Sequence, residues 1–205
     1  MKQLDLFENK EASYEKILLD KEHYIEIYRQ VDLFKLDKDQ FEKLWLEHPE
    51  EYHELVIHGK KVKTPRWQQA YGKNYDYTGS RNNALPINRI EDKYLVWCKK
   101  EIDHQLNGLL LNWYEGKEKH YIGKHRDSTK GLIEGSPIVT ISHGEERIFR
   151  LRPYRGTGYK DFLVRNGDVL IIPWDTNKKY THEVPHFMKY TDNRISVTLR
   201  AYSDA

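Results

Sequence analysis

The sequence predicts an α+β chain in which two amphipathic helices precede a β-sandwich or barrel of jelly-roll type. Three observations predict it. Beyond Gly108 the chain breaks into seven short β-rich runs, separated by Gly, Pro and Asn. Upstream, two windows carry apolar residues at helical spacing behind good N-caps. And 205 residues, 38% of them apolar, suit one domain or one domain with an N-terminal extension.

Residues 1–54 read as an extension with small elements of its own, and its first dozen residues as a flexible tail. His23 to Phe34 mixes β-branched and aromatic residues and predicts a strand. Asp37 caps a helix running to Glu47, with Phe41, Leu44 and Trp45 as its apolar stripe, and His48-Pro49 ends it. Residues 55–86 carry turn signals at Gly59, Gly72 and Gly79. A second helix spans Asn88 to Leu106, with Ile90, Tyr94, Trp97, Cys98 and Ile102 facing inward. The β-rich runs are Leu109–Tyr114, Pro137–Ser142, Arg147–Leu151, Asp161–Val164, Val169–Pro173, Tyr180–Val184 and Arg194–Tyr202.

Composition narrows the function. No apolar run approaches the roughly 18 residues of a membrane helix, and the N-terminus shows no signal-peptide pattern. The single cysteine, Cys98, excludes an intrachain disulfide framework and any cysteine-built zinc site, so a reducing cytoplasm is expected. A net charge of +2 does not mark the whole chain for nucleic acid. Locally, Lys60, Lys61, Lys63 and Arg66 lie among His58, Trp67, Tyr71, Tyr75 and Tyr77. Cations interleaved with aromatics suit phosphates and stackable bases, while a solvated charged loop is the alternative.

The candidate chemistry falls in the β-rich half. His125 and Asp127 stand two apart, the spacing that puts both on one face of a strand. With His182, on a much later strand, they make two histidines and a carboxylate, the donor set of non-haem Fe(II) oxygenases. A surface histidine beside an acid is the plainer alternative. In the last strand Ile195, Val197 and Leu199 point one way and Arg194, Ser196, Thr198 and Arg200 the other. The second face is either solvent-exposed or the wall of a narrow barrel. In a barrel, two buried guanidiniums need an anionic partner, and a dicarboxylate could offer each a forked contact. Asn112 and Tyr114 likewise share one face, with Trp113 on the other.

Taken in order, Asn112-x-Tyr114, His125-x-Asp127, His182 and Arg194-x-Ser196-x-x-x-Arg200 resemble the AlkB family of Fe(II)/2-oxoglutarate dioxygenases. The resemblance runs from Val56 to Tyr202. Ile57-His58-Gly59-Lys60, Pro65-Arg66-Trp67-Gln68 and Tyr71-Gly72 look like the nucleotide-recognition lid of members acting on double-stranded DNA; Gly135-Ser136-Pro137-Ile138 and Thr176-Asn177 also fit. It implies a double-stranded β-helix over 108–202 with flanking helices, a lid over 55–86, and one dioxygenase domain over 13–205. His125, Asp127 and His182 would bind Fe(II). Arg194 and Ser196 would hold the distal carboxylate of 2-oxoglutarate, Arg200 the carboxylate near the metal, and Asn112 and Tyr114 would add hydrogen bonds. With O2 the enzyme would oxidatively demethylate N-alkylated DNA bases of the 1-methyladenine and 3-methylcytosine type, releasing formaldehyde and succinate. His58, Lys60, Lys61, Lys63 and Arg66 would contact the nucleic acid, and Tyr75 and Tyr77 would stack on the extruded base. The chain departs from the family at three places: His58 replaces an apolar wedge, Thr129 an acidic residue two past the metal aspartate, and Ser196 an asparagine.

Gln3-Leu4-Asp5-Leu6-Phe7 looks like the pentapeptide by which proteins bind the bacterial sliding clamp; docking of these residues on their own domain is the alternative. The chain is expected to be monomeric. Two other functions stay open: an AlkB-like dioxygenase acting on RNA or a small molecule, and a clamp-associated nucleic-acid-binding module without turnover.

Overall fold

The β-rich runs pair into antiparallel ladders. The structure is a computed structural model that describes residues 13–57, 59–77 and 79–203. The pentapeptide Gln3–Phe7 and His58 lie outside the described residues.

Two sheets form the frame. The larger contains β1 (Ser13–Leu18), β2 (Tyr24–Arg29), β5 (Trp67–Tyr71), β8 (Gly108–Tyr114), β10 (Ile138–Gly144), β13 (Val169–Ile172) and β15 (Arg194–Arg200), in the order β1-β2-β13-β10-β15-β8-β5. The smaller contains β9 (Ile122–His125), β11 (Arg147–Pro153), β12 (Lys160–Val164) and β14 (Tyr180–Val184), in the order β12-β11-β14-β9. Two hairpins stand apart: β3 (Glu54–Ile57) with β4 (Lys60–Lys63), and β6 (Tyr75–Tyr77) with β7 (Ser80–Asn82). Gly59 and Gly79 take φ of 75° and 71° at their tips, a left-handed conformation that costs glycine little.

Helices cover the outer face of the large sheet. In α1 (Lys38–Trp45) Asp37 accepts from the Gln40 amide and Gln40 returns the bond; in α2 (Arg89–Glu101) Asn88 and Glu91 form the same reciprocal cap. Tyr94, Leu95 and Cys98 of α2 pack with Phe34 and Leu44 onto Leu109, Leu111, Trp113, Val139, Ile141, Ile195, Val197 and Leu199. A second cluster fills one end of the space between the sheets, joining Ile25, Ile27, Ile138, Leu170 and Ile172 to Phe149, Leu151, Phe162 and Val184. The alternating strands therefore bury both faces. The aliphatic face of β15 lies under the helices, and its polar face lines the space between the sheets.

Three expectations need correction. Residues 13–54 are not an appendage, because β2 pairs with β13 through Tyr28–Val169, Ile27–Leu170 and Glu26–Ile171 and extends the large sheet. Residues 55–86 are not one unit either, since β5 pairs with β8 in the large sheet and separates the two hairpins. Finally, His125 ends β9 and Asp127 lies beyond it, so strand alternation does not align them.

Candidate metal centre and its cavity

Register across the large sheet assembles a polar row. Gln68 pairs with Asn112, Asn112 with Ser196, and Ser196 with Ser142, so four strands present these side chains in one line. Arg194 lies opposite Tyr114, one step along the same face. All of them except Gln68 and Ser142 line a narrow cavity between the sheets, together with Arg66, Tyr75, His125, His182 and Arg200.

The small sheet supplies the imidazoles. His182 of β14 and His125 of β9 are cross-strand partners, with ring centroids 4.3 Å apart. His182 also stacks on Phe149 at 5.5 Å, which fixes its plane. The third group, Asp127, is 6% exposed and held from two sides. Its backbone N–H donates to Asn177 Oδ1 at 3.2 Å, and Asn177 Nδ2 donates to its carbonyl at 3.1 Å. Arg200 donates through Nε to Asp127 Oδ2 at 2.7 Å, and its Nη2 forms an ion-pair contact with the same oxygen at 2.6 Å. Asp127 Oδ1 is left 3.8 Å from His125 Nε2 and 3.9 Å from His182 Nε2. One ligand atom from each residue lies within 4.8 Å of the others, a spacing that suits one ion.

The electrostatics favour the metal-binding protonation states. Burial pushes the His182 imidazole down to about 3, helped by His125 and Arg200, and burial lowers His125 as well. Both lone pairs are thus free near neutral pH. His125 Nδ1 lies 2.8 Å from the Gly123 carbonyl, so a donating Nδ1–H leaves Nε2 as the ligand atom. Burial opposes ionisation of Asp127, but the Arg200 guanidinium and the two imidazoles outweigh it and hold its carboxyl at about 2.

Deeper in, Arg194 is 1% exposed. Its Nε donates to Ser142 Oγ at 2.9 Å, its guanidinium sits 5.0 Å from the centre of the Tyr114 ring, and its Nη1 is buried without a partner. Ser142 thus orients the guanidinium. Burial lowers its pKa to about 10, which still leaves it charged. Arg200 is neutralised by Asp127, whereas no carboxylate among the described residues pairs with Arg194. Asp127 Oδ1, His182 Nδ1, Arg194 Nη1 and Arg200 Nη1 are all buried without hydrogen-bond partners. Such a concentration of orphaned donors and acceptors is costly unless ligands complete it. A divalent cation at the His-Asp-His end and a dicarboxylate reaching towards Arg194 fit what is left open.

The expected nucleic-acid residues separate into two groups. Lys60, Lys61 and Lys63 are exposed on the β3–β4 hairpin, with Lys61 near Glu54 (3.1 Å) and Lys63 near Glu51 (3.6 Å). Arg66 and Tyr75 point inward instead. Arg66 is 6% exposed and donates from Nε to Asn112 Oδ1 at 2.9 Å, so it offers no surface to a phosphate backbone. The Tyr75 ring lines the inner cavity and has the Arg200 guanidinium over one of its faces at 4.8 Å. Tyr77 lies at the mouth, 6.1 Å from the His125 ring, and with Asp76, Arg81, Arg126, Asp127, Thr129 and Lys130 lines an open cavity of about 940 Å³. The sequence pattern assigns Ser142 no role and includes Gln68 only within the lid motif; strand register places them opposite Ser196 and Asn112.

Comparison with known proteins agrees with this geometry. A profile of the 2OG-Fe(II) oxygenase superfamily matches residues 15–200. The chain is 28% identical over 161 residues to bovine DNA oxidative demethylase ALKBH2, covering 71% of this chain and 56% of the relative. It is 30% identical over 162 residues to the mouse protein of that name, covering 71% and 65%. The chain thus spans less than two thirds of these curated relatives. Among solved structures, OsALKBH1 superposes with a TM-score of 0.61 at 16% identity, over 92% of this chain and 100% of that one. A 2OG-Fe(II) oxygenase family oxidoreductase from Burkholderia pseudomallei gives 0.55 at 14% identity, over 86% and 84%; both show likeness of fold.

Proposed function

Since this chain belongs to the 2OG-Fe(II) oxygenase superfamily, whose cofactors are Fe(II), 2-oxoglutarate and O2, we propose that it is an AlkB-type dioxygenase that removes alkyl groups from base nitrogens in DNA. The observation that carries the reading is the trio of buried, unpartnered atoms Asp127 Oδ1, Arg194 Nη1 and Arg200 Nη1, which suits a metal plus a dicarboxylate. The relatives named DNA oxidative demethylase support DNA as the substrate.

In this reading the two sheets are the double-stranded β-helix, with its core over 108–202, and the hairpins on either side of β5 are the lid. His125, Asp127 and His182 hold Fe(II), which with O2 and 2-oxoglutarate supplies the oxidant for hydroxylating an N-methyl carbon, the cosubstrate becoming succinate and CO2. The hydroxymethyl group then leaves as formaldehyde: its O–H proton passes to solvent, the N–C bond breaks, and the electron pair stays on the ring nitrogen, which for N1 of adenine or N3 of cytosine is again an unprotonated acceptor. Arg194 binds the distal carboxylate, helped by Ser142 and Tyr114, while Ser196 lies beside it on the cavity wall. Arg200 holds Asp127 Oδ2 and leaves Oδ1 available to a metal, and its unpartnered Nη1 would be available to the nearer carboxylate. Asn112 offers its NH2. A methyl on a pairing nitrogen is hidden in a duplex, so the base must leave the stack, and the cavity beside Tyr77 is where it would enter. Exposed Lys60, Lys61 and Lys63 would meet the phosphates.

Formaldehyde release from oligonucleotides carrying 1-methyladenine or 3-methylcytosine, prepared as DNA and as RNA, tests the proposal. Turnover on DNA is expected, and neither His125→Ala nor Asp127→Ala should retain it. Turnover on RNA alone would overturn the DNA assignment, and a wild-type rate in either variant would remove the metal assignment.

The tail carries a second, separable proposal, resting on its sequence: Gln3-Leu4-Asp5-Leu6-Phe7 binds a bacterial sliding clamp. Deleting residues 1–7 should abolish clamp binding and leave turnover on short oligonucleotides intact; unchanged clamp affinity would refute it.

A further inference from the structure

Arg66 stands between the hairpins and the cavity. The β3–β4 hairpin is tied off at its base by Thr64, which is 3% exposed and donates from its backbone N–H to the His53 carbonyl at 2.8 Å. The Thr64 hydroxyl contacts both that carbonyl (3.1 Å) and the carbonyl of Arg66 (2.8 Å). Pro65 stiffens the single link between them, and its own carbonyl accepts from the Tyr121 N–H at 3.2 Å. The second hairpin is fastened to the same base, because Ser80 Oγ donates to the Glu54 carbonyl at 2.6 Å and lies 3.2 Å from His53 Nε2. The two hairpins therefore share one root, and Arg66 follows it directly.

Inside, Arg66 Nε and Gln68 Nε2 both donate to Asn112 Oδ1 at 2.9 Å. An amide has one oxygen. With that oxygen claimed twice, only the NH2 of Asn112 remains for the cavity, and its orientation is fixed. Free to turn, Asn112 would present oxygen or nitrogen, and an oxygen facing a carboxylate repels it. No carboxylate among the described residues pairs with Arg66 itself, which lines the same cavity.

We propose that Arg66 is a positioning residue that couples the hairpin pair to the cosubstrate site: it holds Asn112 in the orientation that binds a dicarboxylate, and a bound dicarboxylate in turn steadies the hairpins. The inference rests on the cosubstrate reading given above. Coupling of this kind is reciprocal, so whatever tightens one side tightens the other. Under it, cosubstrate loading prepares the hairpins to engage nucleic acid.

The test uses the full chain loaded anaerobically with Fe(II). Calorimetry measures 2-oxoglutarate affinity, and hydrogen exchange follows the amides of residues 54–63 with and without 2-oxoglutarate. In the wild type, 2-oxoglutarate should bind and slow exchange in the hairpin. Arg66→Met, which keeps the bulk and loses the donors, should bind about tenfold more weakly and lose that protection even at saturation. Gln68→Leu removes the second donor and should shift both readouts the same way by less, which keeps the test decisive if Arg66→Met fails to fold. Wild-type behaviour in the variants, or a wild-type hairpin indifferent to bound 2-oxoglutarate, would overturn the coupling and leave the enzyme reading standing. A wild type that does not bind 2-oxoglutarate would overturn that reading itself.

Discussion

Replacing Asn177 by alanine should damage metal binding without touching a ligand. Asn177 lies in α3 (Trp174–Lys179), is 2% exposed, and makes two hydrogen bonds to the Asp127 backbone, one donated and one accepted. In the alanine variant the Asp127 N–H and C=O are buried without these partners. Each lost bond costs about 1–1.5 kcal/mol, so the pair is worth about 2–3 kcal/mol. At roughly 3 °C per kcal/mol for a chain of this size, the melting temperature of the metal-free protein should fall by about 6–9 °C. Groups that orient a ligand typically govern metal affinity by about 10–100-fold, and a loss in that range is expected for Fe(II) or a redox-inert divalent substitute. Asn177→Asp should fall between, since its carboxylate can still accept from the Asp127 N–H but cannot donate to the carbonyl. Thermal melting followed by metal titration checks both numbers. Unchanged metal affinity in Asn177→Ala would refute the claim that Asn177 sets the position of Asp127.

Asp127→Ala should destabilise the fold as well as abolish metal binding, because it strands the buried Arg200 guanidinium; about 3–5 kcal/mol is expected in denaturant unfolding, and Asp127→Asn should cost less while still losing the metal. Arg194→Met should weaken 2-oxoglutarate binding by at least about tenfold in calorimetry while leaving metal binding intact, since no ligand to the metal touches Arg194. His143, wholly buried with its ring nitrogens 3.0 Å from Tyr94 Oη and 2.9 Å from the Phe34 carbonyl, is pushed by burial from 6.5 to about 3. The unfolded histidine takes up a proton as pH falls through 6.5, whereas the folded one stays neutral until near 3. Stability should therefore decline across that window and level off below it, by up to about 1.4 kcal/mol per pH unit for this site. Denaturant unfolding of metal-free protein between pH 7 and 4 should show a shallower decline in His143→Gln.

Strict alternation in the β-half put Arg194, Ser196 and Arg200 on one face and Asn112 with Tyr114 on another, and the runs expected at Leu109–Tyr114 and Tyr180–Val184 match β8 and β14 closely. That those faces, with His125, Asp127 and His182, make one site was legible only through the resemblance to the AlkB family, because alternation alone left the arginine face equally open to solvent. What stayed hidden depends on contacts far apart in sequence. Residues 1–54 read as an extension with a single strand over His23–Phe34, until Val169–Ile172 supplies the edge that makes Tyr24–Arg29, and with it Ser13–Leu18, part of the large sheet. Trp174–Lys179 contains Asp, Thr and Asn, poor helix formers whose side chains here bond outward: Thr176 Oγ1 donates to the Tyr24 carbonyl at 2.8 Å, and Asn177 grips Asp127. Arg66 read as a cation for nucleic acid because it lies within seven positions of Lys60, Lys61 and Lys63. Only the pairing of Trp67–Tyr71 with Gly108–Tyr114 brings it to the buried amide of Asn112.

The most direct measurement is anomalous diffraction at the iron edge from crystals soaked anaerobically with Fe(II) and 2-oxoglutarate. One anomalous peak should lie between His125 Nε2, Asp127 Oδ1 and the His182 ring, with a dicarboxylate running from it to the guanidinium of Arg194. Iron bound elsewhere, or Arg194 left without an anion while 2-oxoglutarate saturates the crystal, would contradict the account.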